Sequence, residues 1–170
     1  MDMKQNNELP IHTEERACFA AAKQGDINRV TAFIERYGVD APVDGGTCLH
    51  QAVFNGQYAL VSFLLKSGAN PDALYENQVT PLIAAIDRMH WDIARLLVRQ
   101  GANVNLKDAQ NNSPLSKTIF FYHGQDELIK LLLSRGADPF QDLLDGYRPV
   151  DLAESMKLHH LLELFNKHKP

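Results

Sequence analysis

The tripeptide Thr80-Pro81-Leu82 has counterparts at fixed distances along the chain: Thr47-Cys48-Leu49 begins 33 residues earlier, Ser113-Pro114-Leu115 begins 33 later, and Arg148-Pro149-Val150 follows after a further 35. A second landmark keeps the same time, Gly68-Ala69-Asn70, Gly101-Ala102-Asn103 and Gly136-Ala137-Asp138. Between the two lies an apolar stripe: Leu60, Val61, Leu64 and Leu65, then Ile93, Ala94, Leu97 and Val98, then Leu128, Ile129, Leu132 and Leu133. Its members fall at i, i+1, i+4 and i+5, which is one face of an α-helix. A period of this length marks a stack of supersecondary units. Each unit is too short to bury its own apolar face, so neighbours must pack against one another.

The residues within a unit set its internal order. Thr or Ser before Pro starts a helix, because the hydroxyl accepts an orphan amide hydrogen and Pro at the first helical position already has the required φ. Gly after the second stripe stops one, since it adopts the left-handed conformation that a Cβ penalises. One unit therefore reads as short helix, turn, longer helix, Gly stop, and about a dozen turn-rich residues leading to the next start.

Thr-Cys-Leu-His-Gln-Ala (47–52), Thr-Pro-Leu-Ile-Ala-Ala (80–85) and Gly-Ala-Asn-Val-Asn (101–105) resemble the ankyrin repeat, whose period is ~33 residues. The likeness covers about residues 13–168. It implies an all-α solenoid of stacked helix-turn-helix repeats with projecting hairpin loops, or fingers, and a non-enzymatic module that binds another protein. Five repeats are expected, at about 13–43, 44–74, 75–107, 108–142 and 143–168, behind an N-terminal tail at 1–12 that reads as disordered. The first repeat is degenerate and has a short finger, and the fifth has no following Gly-Ala-Asp, so both suit caps. In repeat 4 two extra residues fall between Ser113 and Leu128, placed at Phe120-Phe121-Tyr122-His123-Gly124, and Thr118 replaces the usual inner-helix Ala. Arg148 stands where Thr would cap the last inner helix, so that cap is weaker or comes from another group.

Composition narrows the function. Net charge is −4, with 17 Lys+Arg against 21 Asp+Glu, so no basic field points to nucleic acid or an anionic membrane. No apolar run approaches the ~18–20 residues of a membrane span. The opening MDMKQNNELPIH lacks the apolar core of a secretory signal, which suggests a cytoplasmic location, although export that reads no such signal is compatible with it. Two cysteines, Cys18 and Cys48, cannot build a disulfide framework and read as small apolar filler near the starts of adjacent inner helices. No CxxC, HExxH, phosphate loop or nucleophile elbow is present. His159 and His160 are adjacent, and i,i+1 side chains on a helix do not share a face, so they cannot chelate one ion together. The resemblance gives His50 the role of bracing a finger through hydrogen bonds. No cofactor, metal or catalytic residue is expected.

The resemblance places finger tips and inner-helix ends on a concave face, where large apolar residues have no stacking role. Leu74 and Tyr75 stand on one finger where the family usually carries Lys and Asp; Leu143, Leu144 and Tyr147 stand on another. Phe121 and Tyr122 lie in the insertion, while Asn55 and Arg88 end inner helices. The expected protein-binding set is Asn55, Leu74, Tyr75, Arg88, Phe121, Tyr122, Leu144 and Tyr147, on a monomeric adaptor or scaffold. The alternative is a dedicated inhibitor or antitoxin that covers an enzyme's active site. Phe120 and Phe121 have a competing use in filling the space left by Thr118 and the insertion. Leu143 and Leu144 could likewise pack on the final cap, Trp91 reads as core, and Asp87 with Arg88 could be a solvated pair. Asn105 sits in a finger of the type that asparagine hydroxylases modify in resembling proteins.

Overall fold

A computed structural model describes residues 11–141 and 147–168 of the 170. Five helix pairs follow one another: α1 (Ile11–Gln24) with α2 (Ile27–Tyr37), α3 (Cys48–Phe54) with α4 (Tyr58–Lys66), α5 (Pro81–Asp87) with α6 (Trp91–Arg99), α7 (Pro114–Phe120) with α8 (Asp126–Ser134), and α9 (Pro149–Ser155) with α10 (His159–Asn166). Inner helices stack in order, α1 on α3, α3 on α5, α5 on α7 and α7 on α9; on the outer layer α4 meets α6 and α6 meets α8. This is the all-α solenoid that the repeat period implies.

The starts and stops use the chemistry expected of them. The Thr80 hydroxyl accepts from the Ile83 amide at 3.2 Å and the Ser113 hydroxyl from the Ser116 amide at 3.2 Å, each with Pro at the first helical position. At the last inner helix Asp151 supplies the cap. Its carboxylate accepts from the Arg148 amide at 2.9 Å and from the Arg148 guanidinium at 2.9 and 2.7 Å. After α6 the chain leaves the helix through Gly101 at φ 94°, a region that strains any residue with a Cβ. The repeated stripe is the core: Leu60, Val61 and Leu64, then Ile93, Ala94, Leu97 and Val98, then Leu128, Ile129, Leu132 and Leu133 are all buried, with Leu65 half-buried.

The insertion lies where the period placed it. Three residues join α3 to α4 and α5 to α6, whereas five, 121–125, join α7 to α8. Gln125 folds back into this longer turn and donates to the Phe121 carbonyl at 2.7 Å. Thr118, fully buried in place of Ala, satisfies its hydroxyl on the Pro114 carbonyl at 2.8 Å.

The fingers differ from one another. The first is a short antiparallel hairpin, β1 (Pro42–Val43) with β2 (Gly46–Thr47), turned by Asp44 and Gly45 at φ 50° and 77°. The sign of both angles is that of the tight hairpin turn favoured by Asp-Gly. The next finger holds a single 3₁₀ turn, Glu76–Gln78. Polar side chains tie each finger to the next. Asp40 accepts from the Asn70 amide at 3.0 Å, Asp72 accepts from the Asn103 amide at 2.8 Å, and the Asn105 amide group donates to the Gly136 carbonyl at 3.0 Å.

His50 braces the first of these fingers from inside. Its ring is fully buried, Nδ1 accepts from the Thr47 amide at 3.3 Å, and Nε2 makes no hydrogen bond, although the Val79 and Ala73 carbonyls of the following finger lie near enough to act on the ring. Burial holds its pKa below the ordinary 6.5, against the opposing pull of those carbonyls and Asp40. The unfolded chain therefore binds more protons than the folded one, and stability is lost as pH falls below 6.5. Urea midpoints are expected to drop between about pH 7.5 and pH 5.5. A His50→Gln variant, less stable by about 1–3 kcal/mol at neutral pH, should lack that part of the pH dependence.

Candidate functional site

One end of each inner helix and the finger before it form a continuous face. The last residues of α3, α5, α7 and α9 are Phe54, Asp87, Phe120 and Ser155, one per repeat in the same register. Aromatic side chains therefore alternate with polar ones along the stack.

At its N-terminal part the face is built from Tyr75, Phe54 and Arg88. The Tyr75 ring meets Phe54 edge-on at 5.2 Å and lies 5.7 Å from the His50 ring, while the Arg88 guanidinium sits 5.6 Å from the Phe54 ring centre. Cation and ring attract in this arrangement. Tyr75 also lies over the preceding finger so closely that a Cβ on Gly46 would meet its ring at 2.5 Å. It is thus a half-buried support as well as a surface residue, and burial raises its phenol pKa. Leu74 beside it is 58% exposed, and Arg88 is exposed. Asn55 donates from its side chain to the Gln51 carbonyl at 2.8 Å, which spends its amide on ending α3.

Further along, Phe120 and Tyr147 are 66% and 61% exposed. Together with Phe121, Leu152, Ser116 and Lys117 they line a groove of about 340 Å³ between α7 and α9. Phe120 stands edge-on to Phe121 at 5.1 Å, and it is Phe121 that turns toward the core. The competition between the two rings is thus resolved in favour of Phe120 as the outward one. Lys117 closes the floor with ion pairs to Asp87 at 2.8 Å and to the buried Asp108 at 3.1 Å.

Tyr122 points elsewhere. Its hydroxyl donates to Asp126 at 2.5 Å and meets His160 Nε2 at 2.9 Å, so the ring bridges the repeat-4 turn to outer helix α10. The two inserted residues carry it past the end of the inner helix. Desolvation and the Asp126 carboxylate push its phenol pKa up to about 12. Leu144, like Leu143, lies outside the described residues. Trp91 is half-buried against the core and borders a second, more polar cleft of about 510 Å³ with Met89, His90, Asp92, Arg95 and His123. Among the described residues no three His, Cys, Asp or Glu side chains converge as a metal site. None of the described helices is long and apolar enough to cross a membrane.

Comparison with known proteins accounts for this architecture. A family model for ankyrin repeats, in three copies, matches residues 1–75 and again 67–142. The chain belongs to the ankyrin repeat family. It is 32% identical over 128 residues to a tyrosine-protein kinase, HTK16, of Hydra vulgaris, covering 74% of this chain and 17% of that protein. It is 32% identical over 132 residues to the probable E3 ubiquitin-protein ligase XBOS31 of Oryza sativa, covering 74% of this chain and 29% of the ligase. It is also 33% identical over 91 residues to the ankyrin repeat and KH domain-containing protein mask of Drosophila melanogaster, covering 54% of this chain and 2% of that protein. The chain thus spans less than a third of the length of each of these relatives.

Within this ankyrin face, Lys117 is the charge on which the groove floor depends. Burial opposes ionisation of Asp108, but the Asn112 amide and the Lys117 ammonium outweigh it and hold the carboxyl below its usual range. Lys117→Met should strand that buried carboxylate and destabilise the protein by about 1–3 kcal/mol, read from urea melts. Adding Asp108→Asn should recover part of the loss; strict additivity of the two changes would show that the ion pair is not coupled.

Proposed function

We propose that this ankyrin chain is a non-catalytic protein-binding module and that its partner docks on the finger and inner-helix face. Ankyrin repeats are generally protein-interaction modules, and the three relatives are named as a tyrosine-protein kinase, a probable E3 ubiquitin-protein ligase and an ankyrin repeat and KH domain-containing protein. The observation that carries the reading is the pair Phe120 and Tyr147, which flank an apolar groove while the Leu74–Tyr75–Phe54–Arg88 cluster continues the same face. Exposed aromatic rings beside Arg are the types that dominate binding energy at interfaces. The elements carrying them are fixed by stacking, so docking costs little ordering entropy.

Tyr58, Met89 and Met156 are also exposed, but they sit on the turn and outer-helix side. They serve as controls. An adaptor or scaffold role is the leading reading of such a module; a dedicated inhibitor role would require an enzyme as its partner.

The expected outcome is that Phe120→Ala with Tyr147→Ala weakens binding to a partner captured from native extract by more than tenfold, about 1.4 kcal/mol, with unchanged helicity. Tyr75→Ala should weaken it by a similar factor, with some loss of stability because the ring supports Gly46. Tyr58→Ala with Met156→Ala should leave affinity within about twofold, or about 0.4 kcal/mol. The opposite pattern, measured by titration calorimetry, would move the site to the outer side.

A further inference from the structure

The register gives the first two repeats a feature that the protein-binding reading does not use. Inner helices α5, α7 and α9 begin on Pro81, Pro114 and Pro149, whereas α3 begins on Cys48. Helix α1 packs directly on α3 and presents Cys18 to it, with the two Sγ atoms 2.8 Å apart. That separation is about 0.75 Å longer than a disulfide bond of ~2.05 Å, so small side-chain shifts would suffice to bond the sulfurs. Both thiols are free, and the residues are 2% and 0% exposed. Cys18 nevertheless borders an open groove of about 400 Å³ between α1 and α2, with Ala17, Ala32 and Phe33 among its walls. Cys18 is thus the member of the pair that lies at a groove wall.

We propose that Cys18 and Cys48 are a thiol–disulfide exchange site that takes small organic disulfides and, when oxidised, bolts the first repeat to the second. The Cys18 thiolate attacks one sulfur of the organic disulfide, releases its first half as a thiolate and keeps the second half as a mixed disulfide. Cys48 then attacks the Cys18 sulfur and expels that second half. Two protein thiols are oxidised to one disulfide, the reagent is reduced to two thiols, and the two protein protons leave on them. The hydrogen bond to Cys48, and then burial, hold the Cys18 thiol above its ordinary pKa, which slows the first attack and calls for excess reagent. The bond would close a loop from residue 18 to residue 48 and so restrict the unfolded chain.

The test treats the folded wild-type protein with excess cystamine at neutral pH. Titratable thiols after denaturation should fall from two per chain to none, the intact mass should drop by two hydrogens with no cysteamine attached, and digestion should yield one peptide pair joined through Cys18 and Cys48. Tm should rise by about 5–10 °C and return on reduction. Cys18→Ala and Cys48→Ala, each treated alike, should show no such rise. Retention of both thiols, stable cysteamine adducts, covalent dimers, or an oxidised form with a lower Tm would overturn the proposal. So would a cystamine-dependent rise in either single variant.

Discussion

A helix of seven residues held only by its own hydrogen bonds is marginal in water, where ~12–15 residues are needed even for good helix formers. The inner helices α3, α5, α7 and α9 have seven residues each, and their partners α4, α6 and α8 have nine. None can exist without the neighbour it stacks on. This constraint explains why the apolar stripe keeps its place within each outer helix: a shift of one or two places there would rotate it away from the adjoining repeat. It also explains where an insertion is tolerated. The two extra residues of repeat 4 enter the turn between α7 and α8, which lies outside both helical faces, and leave Leu128, Ile129, Leu132 and Leu133 buried in register.

Stacking alone would leave the fingers as independent loops. They are joined instead through polar side chains at the third position of the Gly-Ala-Asn landmark and two places beyond. Asn70 and Asn103 each accept from the backbone amide two residues on, at 3.0 and 2.9 Å, which shapes the turn. The amides of those same residues are in turn donated to Asp40 and Asp72 of the preceding finger. Each Asn side chain thus shapes its own loop, while an Asp side chain of the loop before holds its backbone amide. A surface assembled this way is already ordered before a partner arrives, which is the condition for rigid-surface recognition.

Much of this was legible in the sequence because period and helical face are one-dimensional properties. The stripes, the Thr and Ser caps, the short first finger and the position of the insertion all follow from spacing. The identity of the group that caps α9 was open, and the structure gives it to Asp151, a residue three places along the helix from Arg148. What spacing cannot supply is the direction of a side chain in an irregular turn. Phe121 and Tyr122 stood as binding candidates, yet one leans on the core and the other reaches His160, while Phe120 faces outward. Nor does spacing reveal that the Asn55 side chain donates to the Gln51 carbonyl at the end of α3. The meeting of Cys18 and Cys48 was equally hidden, since filler and reactive pair share the same letters and differ only in a sulfur–sulfur distance. Met89 and Lys157 occupy the turn position of Gly56, at φ 56° and 57°, without any glycine to announce it.

The register also limits what can fit the proposed face. Because Phe54, Asp87 and Phe120 occupy one position in successive repeats, their spacing is that of the inner helices, ~8–10 Å per step. The two aromatic clusters are therefore about 16–20 Å apart, with Asp87 between them held by Lys117 at 2.8 Å. A small molecule can fill the groove beside Phe120 but cannot touch Phe54 and Arg88 as well. A ligand that uses both clusters must be extended and must complement the aromatic, acidic, aromatic order of this face. The protein partner proposed above can present apolar and charged side chains over that distance, which a small metabolite cannot.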